Sequence, residues 1–167
     1  NRKTKGNIYK AKISRVEQSL EAAFVDYGKE KHGFLPFKEV SPFFAEGVKP
    51  KGDKLTISDV LKEGQDIIIQ VEKEERGNKG AALSTYINLA GAYMILTANN
   101  PKSSGISRQI SASDRQDLQK LLPKLEVPKH SGLIIRTKCA GRGVSELQWE
   151  VDHLTHLWKS IKTATKK

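Results

Sequence analysis

Leu20 to Pro36 reads LEAAFVDYGKEKHGFLP. Ala22-Ala23-Phe24-Val25-Asp26 is small, apolar and suited to a strand. Tyr27-Gly28-Lys29-Glu30-Lys31 is polar, carries a glycine and breaks it. Gly33-Phe34-Leu35 resumes the extended run. Pro36 ends it, because proline cannot donate to a ladder. Successive strand residues face opposite sides. With Ala23, Val25 and Leu35 turned to a core, Phe24 and Phe34 face out. Two phenylalanines on the wet face of a basic chain suit a stacking platform for unpaired bases. The plainer reading, ordinary core aromatics, stays open, because periodicity alone does not tell which face is buried.

The flanking sequence extends this hairpin. Asn7 to Val16 alternates, with Tyr9, Ala11 and Ile13 on one face and Lys10 and Lys12 on the other. Gln65 to Glu72 places Ile67, Ile69 and Val71 against Asp66, Ile68 and Gln70, and Ala81 to Ser84 reads as a closing strand. Five short strands with such turns suit a small barrel. Val40 to Asp53, with Phe43-Phe44, reads as a long loop, Ile57 to Leu61 as a short helical turn capped by Ser58, and residues 1–5 as an irregular basic end. The character changes near Thr85. Tyr86 to Leu96 is apolar and strand-like, Ala98 to Gly105 a polar loop, and Ile106 to Ile110 alternates again. Ser113 is the expected cap of a helix carrying Leu118, Leu121 and Leu122, which Pro123 ends. Gly132 to Lys138 reads as a strand. Ser145 opens a last helix with Leu147, Val151, Leu154, Trp158 and Ile161 on one face.

Long blocks of this chain resemble one family. LEAAFVDYGKEKHGFLP, from Leu20 to Pro36, resembles the S1 domain, a five-stranded OB-fold barrel that binds single-stranded RNA. GNIYKAKISRVEQSLEAAFVDYG, HGFLP, EERGNKGAAL, NNPKSSGISR and GLIIRT together resemble the amino-terminal half of the bacterial ribonuclease E family, within ribonuclease E/G. The resemblance runs from about Lys5 to the end of the chain. It implies a mainly β fold: an S1-type OB-fold barrel over residues 1–85, then a small α+β 5′-sensor subdomain over residues 86–167, the latter expected to be truncated.

Composition agrees with a polyanionic partner. The 167 residues carry a net charge of +10, with a pI near 9.7. Residues 1–85 hold 16 Lys+Arg against 13 Asp+Glu, and residues 86–167 hold 13 against 6, so most of the excess lies in the second half. No apolar run approaches membrane-spanning length and no secretory signal opens the chain. No strongly amphipathic basic segment with large apolar anchors stands out early in the chain, which favours RNA over a membrane surface. A single cysteine, Cys139, excludes an internal disulfide and a cysteine-rich metal site and fits a reducing, cytoplasmic setting.

Lys79 lies in a glycine-flanked turn, Gly77-Asn78-Lys79-Gly80, where the backbone can approach a partner and an ammonium suits a phosphate. A simple hairpin turn is the alternative. The resemblance joins Lys79 to Phe24 and Phe34 on an RNA face. Arg136-Thr137 ends an apolar strand. An arginine fork holds two phosphate oxygens and a threonine hydroxyl a third, whereas a plain surface arginine is the commoner case. By resemblance this pair senses a 5′-monophosphate, Gly91 and Ile95 line the terminal nucleotide, and Arg108 supports the site. Cys139, beside Lys138, is a candidate for a lowered pKa but has no base partner. His32, His130, His153 and His156 are scattered, and no carboxylate cluster suggests two-metal hydrolysis.

The expected task is therefore substrate capture: the RNA-binding and 5′-monophosphate-sensing part of an endoribonuclease that cuts single-stranded RNA in rRNA processing and mRNA decay. This chain is expected to lack the catalytic residues and to be inactive alone, binding no cofactor. Magnesium and structural zinc belong, by resemblance, to the longer protein. Its implied partners are 5′-monophosphorylated single-stranded RNA, the remaining ribonuclease chain, three further copies in a homotetramer, and RNA-degradosome proteins. Its implied location is the cytoplasm, with attachment to the inner face of the cytoplasmic membrane through a segment not present here. The alternatives are ribonuclease G, an S1-type module of a translation or ribosome-associated factor, and a purely protein-binding module.

Overall fold

A computed structural model describes residues 4–100 and 102–165. Residues 1–3 of the expected irregular end, Pro101 of the polar loop, and Lys166-Lys167 lie outside the described residues. The chain divides into two compact units, Asn1–Ile87 and Asn88–Lys167.

The first unit is a closed barrel of β1 (Ile8–Glu17), β2 (Ala22–Asp26), β3 (Gly33–Pro36), β4 (Asp66–Lys73) and β5 (Ala82–Ser84), in the order β1-β2-β3-β5-β4. The alternation read from the sequence sets its core: Ile13, Val25, Leu35, Ile69 and Leu83 are fully buried. Burying such side chains contributes about 1.5–3 kcal/mol each. Closure comes from a parallel pair, β3 with β5, in which Phe34 faces Ala82. The Leu83 side chain packs directly over Gly33, where an added Cβ would collide with it.

β1 contains a bulge. Ile13 pairs with Val25, but Arg15 pairs with Phe24, leaving Ser14 as the extra residue. The loop after β3 is less irregular than its composition suggests. It holds two 3-10 turns, Phe37–Glu39 and Pro42–Ala45. Phe44 packs against the core, while Phe43 is 46% exposed. Helix α1 (Ile57–Val60) is not capped by Ser58. Thr56 and Asp59 form its capping box, with the Asp59 carboxylate accepting from the Thr56 N–H at 2.9 Å. Ser58 instead donates to Gln18 Oε1.

The second unit carries a four-stranded sheet, β6 (Ile87–Ala90), β7 (Met94–Ala98), β9 (Gly132–Ile135) and β8 (Gly105–Ile106), in that order. Tyr86 to Leu96 is not one strand. The chain reverses at Gly91–Tyr93, where the Gly91 N–H donates to the Met94 carbonyl at 2.7 Å. Ile106 to Ile110 is also not a strand. β8 stops after pairing parallel to Ile134 and Ile135, and a turn follows with Ile110 N–H on the Ser107 carbonyl. Helix α2 (Ala112–Leu121) starts two residues before the expected point. Ser111, not Ser113, caps it by accepting from the Asp114 N–H. The strand expected over Gly132 to Lys138 ends at Ile135, because Thr137–Cys139 coils into a 3-10 turn. Helix α3 (Val144–Thr165) starts one residue before Ser145 and buries Leu147, Val151, Leu154 and Trp158 of the expected stripe, while Ile161, the last member, is only half-buried.

Candidate nucleic-acid interface

Phe24 and Phe34 are direct cross-strand neighbours on β2 and β3. Both are half-buried, and both stand on the face opposite the buried Val25 and Leu35. Their rings meet edge to face at 5.9 Å. The bulge turns Arg15 onto the same face, where its guanidinium lies 4.7 Å from the Phe24 ring centre and its Nε is 3.1 Å from Glu17 Oε1. Ser14 Oγ donates to the Phe24 carbonyl at 2.9 Å and lies 2.9 Å from His32 Nδ1.

The Lys79 turn is tied down at both ends. Arg76 and Lys79 exchange two backbone hydrogen bonds, and Lys31 Nζ donates to the Gly77 carbonyl at 2.6 Å. The turn leads into β5, which runs parallel to β3, so Lys79 lies at the end of the barrel where β3 begins, three residues before Ala82, the partner of Phe34. Lys12 is paired with Asp66 at 3.0 Å. The Lys12 ammonium holds the Asp66 carboxyl below its ordinary range. Lys10 sits where β1 pairs with β4, opposite Ile68. Lys79 therefore stands at the β3–β5 side of the barrel, and Lys10 and Lys12 at the β1–β4 side.

In the second unit, sheet topology gathers the five remaining candidates. Arg136 and Thr137 follow β9, and Arg108 follows β8, which is parallel to β9. Gly91 and Ile95 flank the start of β7, which is antiparallel to β9. All five therefore lie at one end of the sheet. Arg136 is anchored there: its N–H donates to the Tyr93 carbonyl at 2.8 Å and its Nη1 to the Gly91 carbonyl at 2.7 Å. Ile95 is half-buried opposite Ile134, on the face away from Met94 and Leu96. Thr137 and Arg108 are exposed.

Three supporting residues escape the sequence reading. Two are Arg15 and Lys31. The third is Glu150, buried on the apolar stripe of α3, whose Oε1 accepts from the N–H groups of Tyr93 and Met94 at 2.9 and 3.0 Å. It presses against Gly91 so closely that a Cβ there would collide with the carboxylate. A carboxylate within the stripe formed by Leu147, Val151 and Leu154 is the signal that could have found it, since buried charges are paired or hydrogen-bonded. Cys139 departs from expectation. It is fully buried, and burial, with Glu150 adding, pushes its thiol up to about 11 despite nearby Arg142. His153 stacks on the exposed Trp149 at 5.5 Å.

The comparisons follow the same division. Residues 2–86 match the S1 RNA binding domain, and residues 88–167 match the Ribonuclease E/G family. The chain is 53% identical over 164 residues to ribonuclease E of Buchnera aphidicola subsp. Schizaphis graminum (strain Sg), covering 98% of this chain and 17% of that protein. It is 52% identical over 161 residues to ribonuclease E of Escherichia coli (strain K12), covering 96% of this chain and 15% of that protein. Ribonuclease G of Escherichia coli (strain K12) is less similar, 34% identical over 168 residues, covering 97% of this chain and 34% of that protein. The chain thus spans about a sixth of the length of the ribonuclease E relatives it matches.

Proposed function

Because this chain belongs to the S1 RNA binding domain family in its first unit and to the ribonuclease E/G family in its second, we propose that it is the substrate-gripping part of an endoribonuclease acting on single-stranded RNA. The barrel holds the strand and the second unit holds its 5′ end. The observation that carries this reading is the outward pair Phe24 and Phe34 on β2 and β3, with the Lys79 turn leading into β5, the strand that pairs with Phe34. Aromatic faces take bases of any identity, and an ammonium takes the phosphate between them.

At the sheet end of the second unit, Arg136 and Thr137 receive the terminal 5′-monophosphate. The Arg136 guanidinium carries five donors. Holding one on the Gly91 carbonyl fixes the plane of the fork, so its other edge meets two phosphate oxygens without first being ordered. Ile95 offers an aliphatic surface to the terminal base, and Arg108 adds charge at the same end. Among the described residues no three His, Cys, Asp or Glu side chains gather closely enough to hold a metal ion. Magnesium-dependent cleavage, structural zinc, assembly into a tetramer and degradosome contacts are proposed for the longer protein, in the cytoplasm.

The test is binding of this chain to one short RNA made with a 5′-monophosphate and with a 5′-hydroxyl. Preference for the phosphorylated end is expected, and Arg136→Lys, which keeps the charge but loses the planar fork, should reduce it. Equal affinity for both ends in the unaltered chain would remove the end-sensing role and leave the barrel's role standing.

A further inference from the structure

Arg15 is a further member of the stacking surface: we propose that its guanidinium plane, swung onto the barrel face by the Ser14 bulge and held over Phe24, stacks directly against a nucleobase of bound single-stranded RNA. The inference rests on the RNA-binding reading of the barrel and adds to it a contact that Phe24, Phe34 and Lys79 do not supply. The bulge is the first observation. Without the extra residue, Ser14 would face Phe24 and Arg15 would fall on the inward side; with it, Arg15 is the cross-strand partner of Phe24. Bulges of this kind re-aim a side chain.

The second observation is the hold on the side chain. Glu17 Oε1 takes Nε at 3.1 Å, while the guanidinium carbon sits 4.7 Å from the Phe24 ring centre. Arg15 is exposed, its side chain retaining 58% of its accessible surface, so it is open to an incoming base. The third is the local scaffold. Ser14, the bulged residue, bonds to the Phe24 carbonyl and meets His32 at the mouth of β3, which fixes the bulge relative to the aromatic pair. Arginine planes stack on unpaired bases much as aromatic rings do, and add a charge that suits the neighbouring phosphate.

The experiment is titration of a 3′-labelled oligouridylate of about ten nucleotides, carrying a 5′-hydroxyl so that the 5′-end site is silent, at several salt concentrations. Arg15→Lys keeps the charge and loses the plane. It should weaken binding about fivefold with an unchanged salt slope, and that loss should vanish in a Phe24→Ala background because the two share one stack. Unaltered affinity in Arg15→Lys, or an equal loss in both backgrounds, overturns the proposal. Should Arg15→Lys lower the melting temperature, Glu17→Gln carries the test, since it loosens the guanidinium without replacing it. Weaker binding then supports the stack and unchanged binding overturns it. If Phe24→Ala and Phe34→Ala also leave affinity untouched, it is the RNA-binding reading of the barrel that falls.

Discussion

Phe24 and Phe34 contact each other as well as solvent, so truncating either removes two things of different size. The edge-to-face contact is worth about 0.5–1.5 kcal/mol, whereas a base stacked on an exposed ring is worth about 1–3 kcal/mol. Phe24→Ala and Phe34→Ala should therefore weaken single-stranded RNA binding more than they lower stability. Parallel binding titrations and thermal melts check this, and a collapsed melting temperature with binding intact would return both rings to the core. Cys139 gives a prediction of opposite character. Its folded pKa, about 11, is raised above its ordinary value of 9.0. The protonated thiol's contribution to stability is thus fully present below about pH 9. It is lost as pH rises through the folded pKa. Denaturant midpoints taken from pH 8 upward should fall more steeply for the unaltered chain than for Cys139→Ala. A thiol reagent at pH 8 should label Cys139 only as the protein unfolds. The residue types at both positions were plain from the sequence. Neighbouring Lys138 suggested a lowered thiol pKa, but adjacency in sequence says nothing of burial, and burial dominates here.

At the scale of single elements, the strands of the barrel were legible and those of the second unit were less so. Ile67, Ile69 and Val71 alternate with Asp66, Ile68 and Gln70, a period of two that marks a strand whichever face is buried. Tyr86 to Leu96 is apolar apart from Asn88, and Gly91 is the one local sign of the reversal there, too weak alone to divide the run. That turn depends on Glu150, nearly sixty residues further along, whose carboxylate takes the Tyr93 and Met94 N–H groups. The sensor's parts were recognisable as residue types, but what holds them together was not. Glu150→Ala should cost about 1–3 kcal/mol by leaving buried N–H groups unmet, and should loosen the Gly91 carbonyl that orients Arg136. Glu150→Gln keeps an acceptor oxygen and should do less harm. Stability of each variant, set beside its discrimination between 5′-phosphate and 5′-hydroxyl RNA, checks both statements. In the barrel, Gly33→Ala should destabilise by about 1–3 kcal/mol through overpacking against Leu83, seen as a lowered melting temperature.

For the whole molecule, net charge alone suggests that every lysine contributes to RNA binding, but the pairing of those charges narrows the expectation. Lys79→Ala should flatten the dependence of log affinity on log salt by about one phosphate contact. Lys12→Ala should change it less, because Asp66 already matches that charge at 3.0 Å. Equal slopes for Lys79→Ala and the unaltered chain would take Lys79 off the RNA path.

The parallel pair of β3 with β5 also sets an order of events during synthesis. Phe34 cannot find Ala82 until the latter has been made and released, and until then β3 presents an unpaired edge. The first three strands alone are therefore a sticky intermediate rather than a small stable domain. Contacts spanning so much chain close slowly compared with local ones. A nascent barrel would remain open, and prone to pairing with its neighbours on the same message, until its last short strand arrives to seal it.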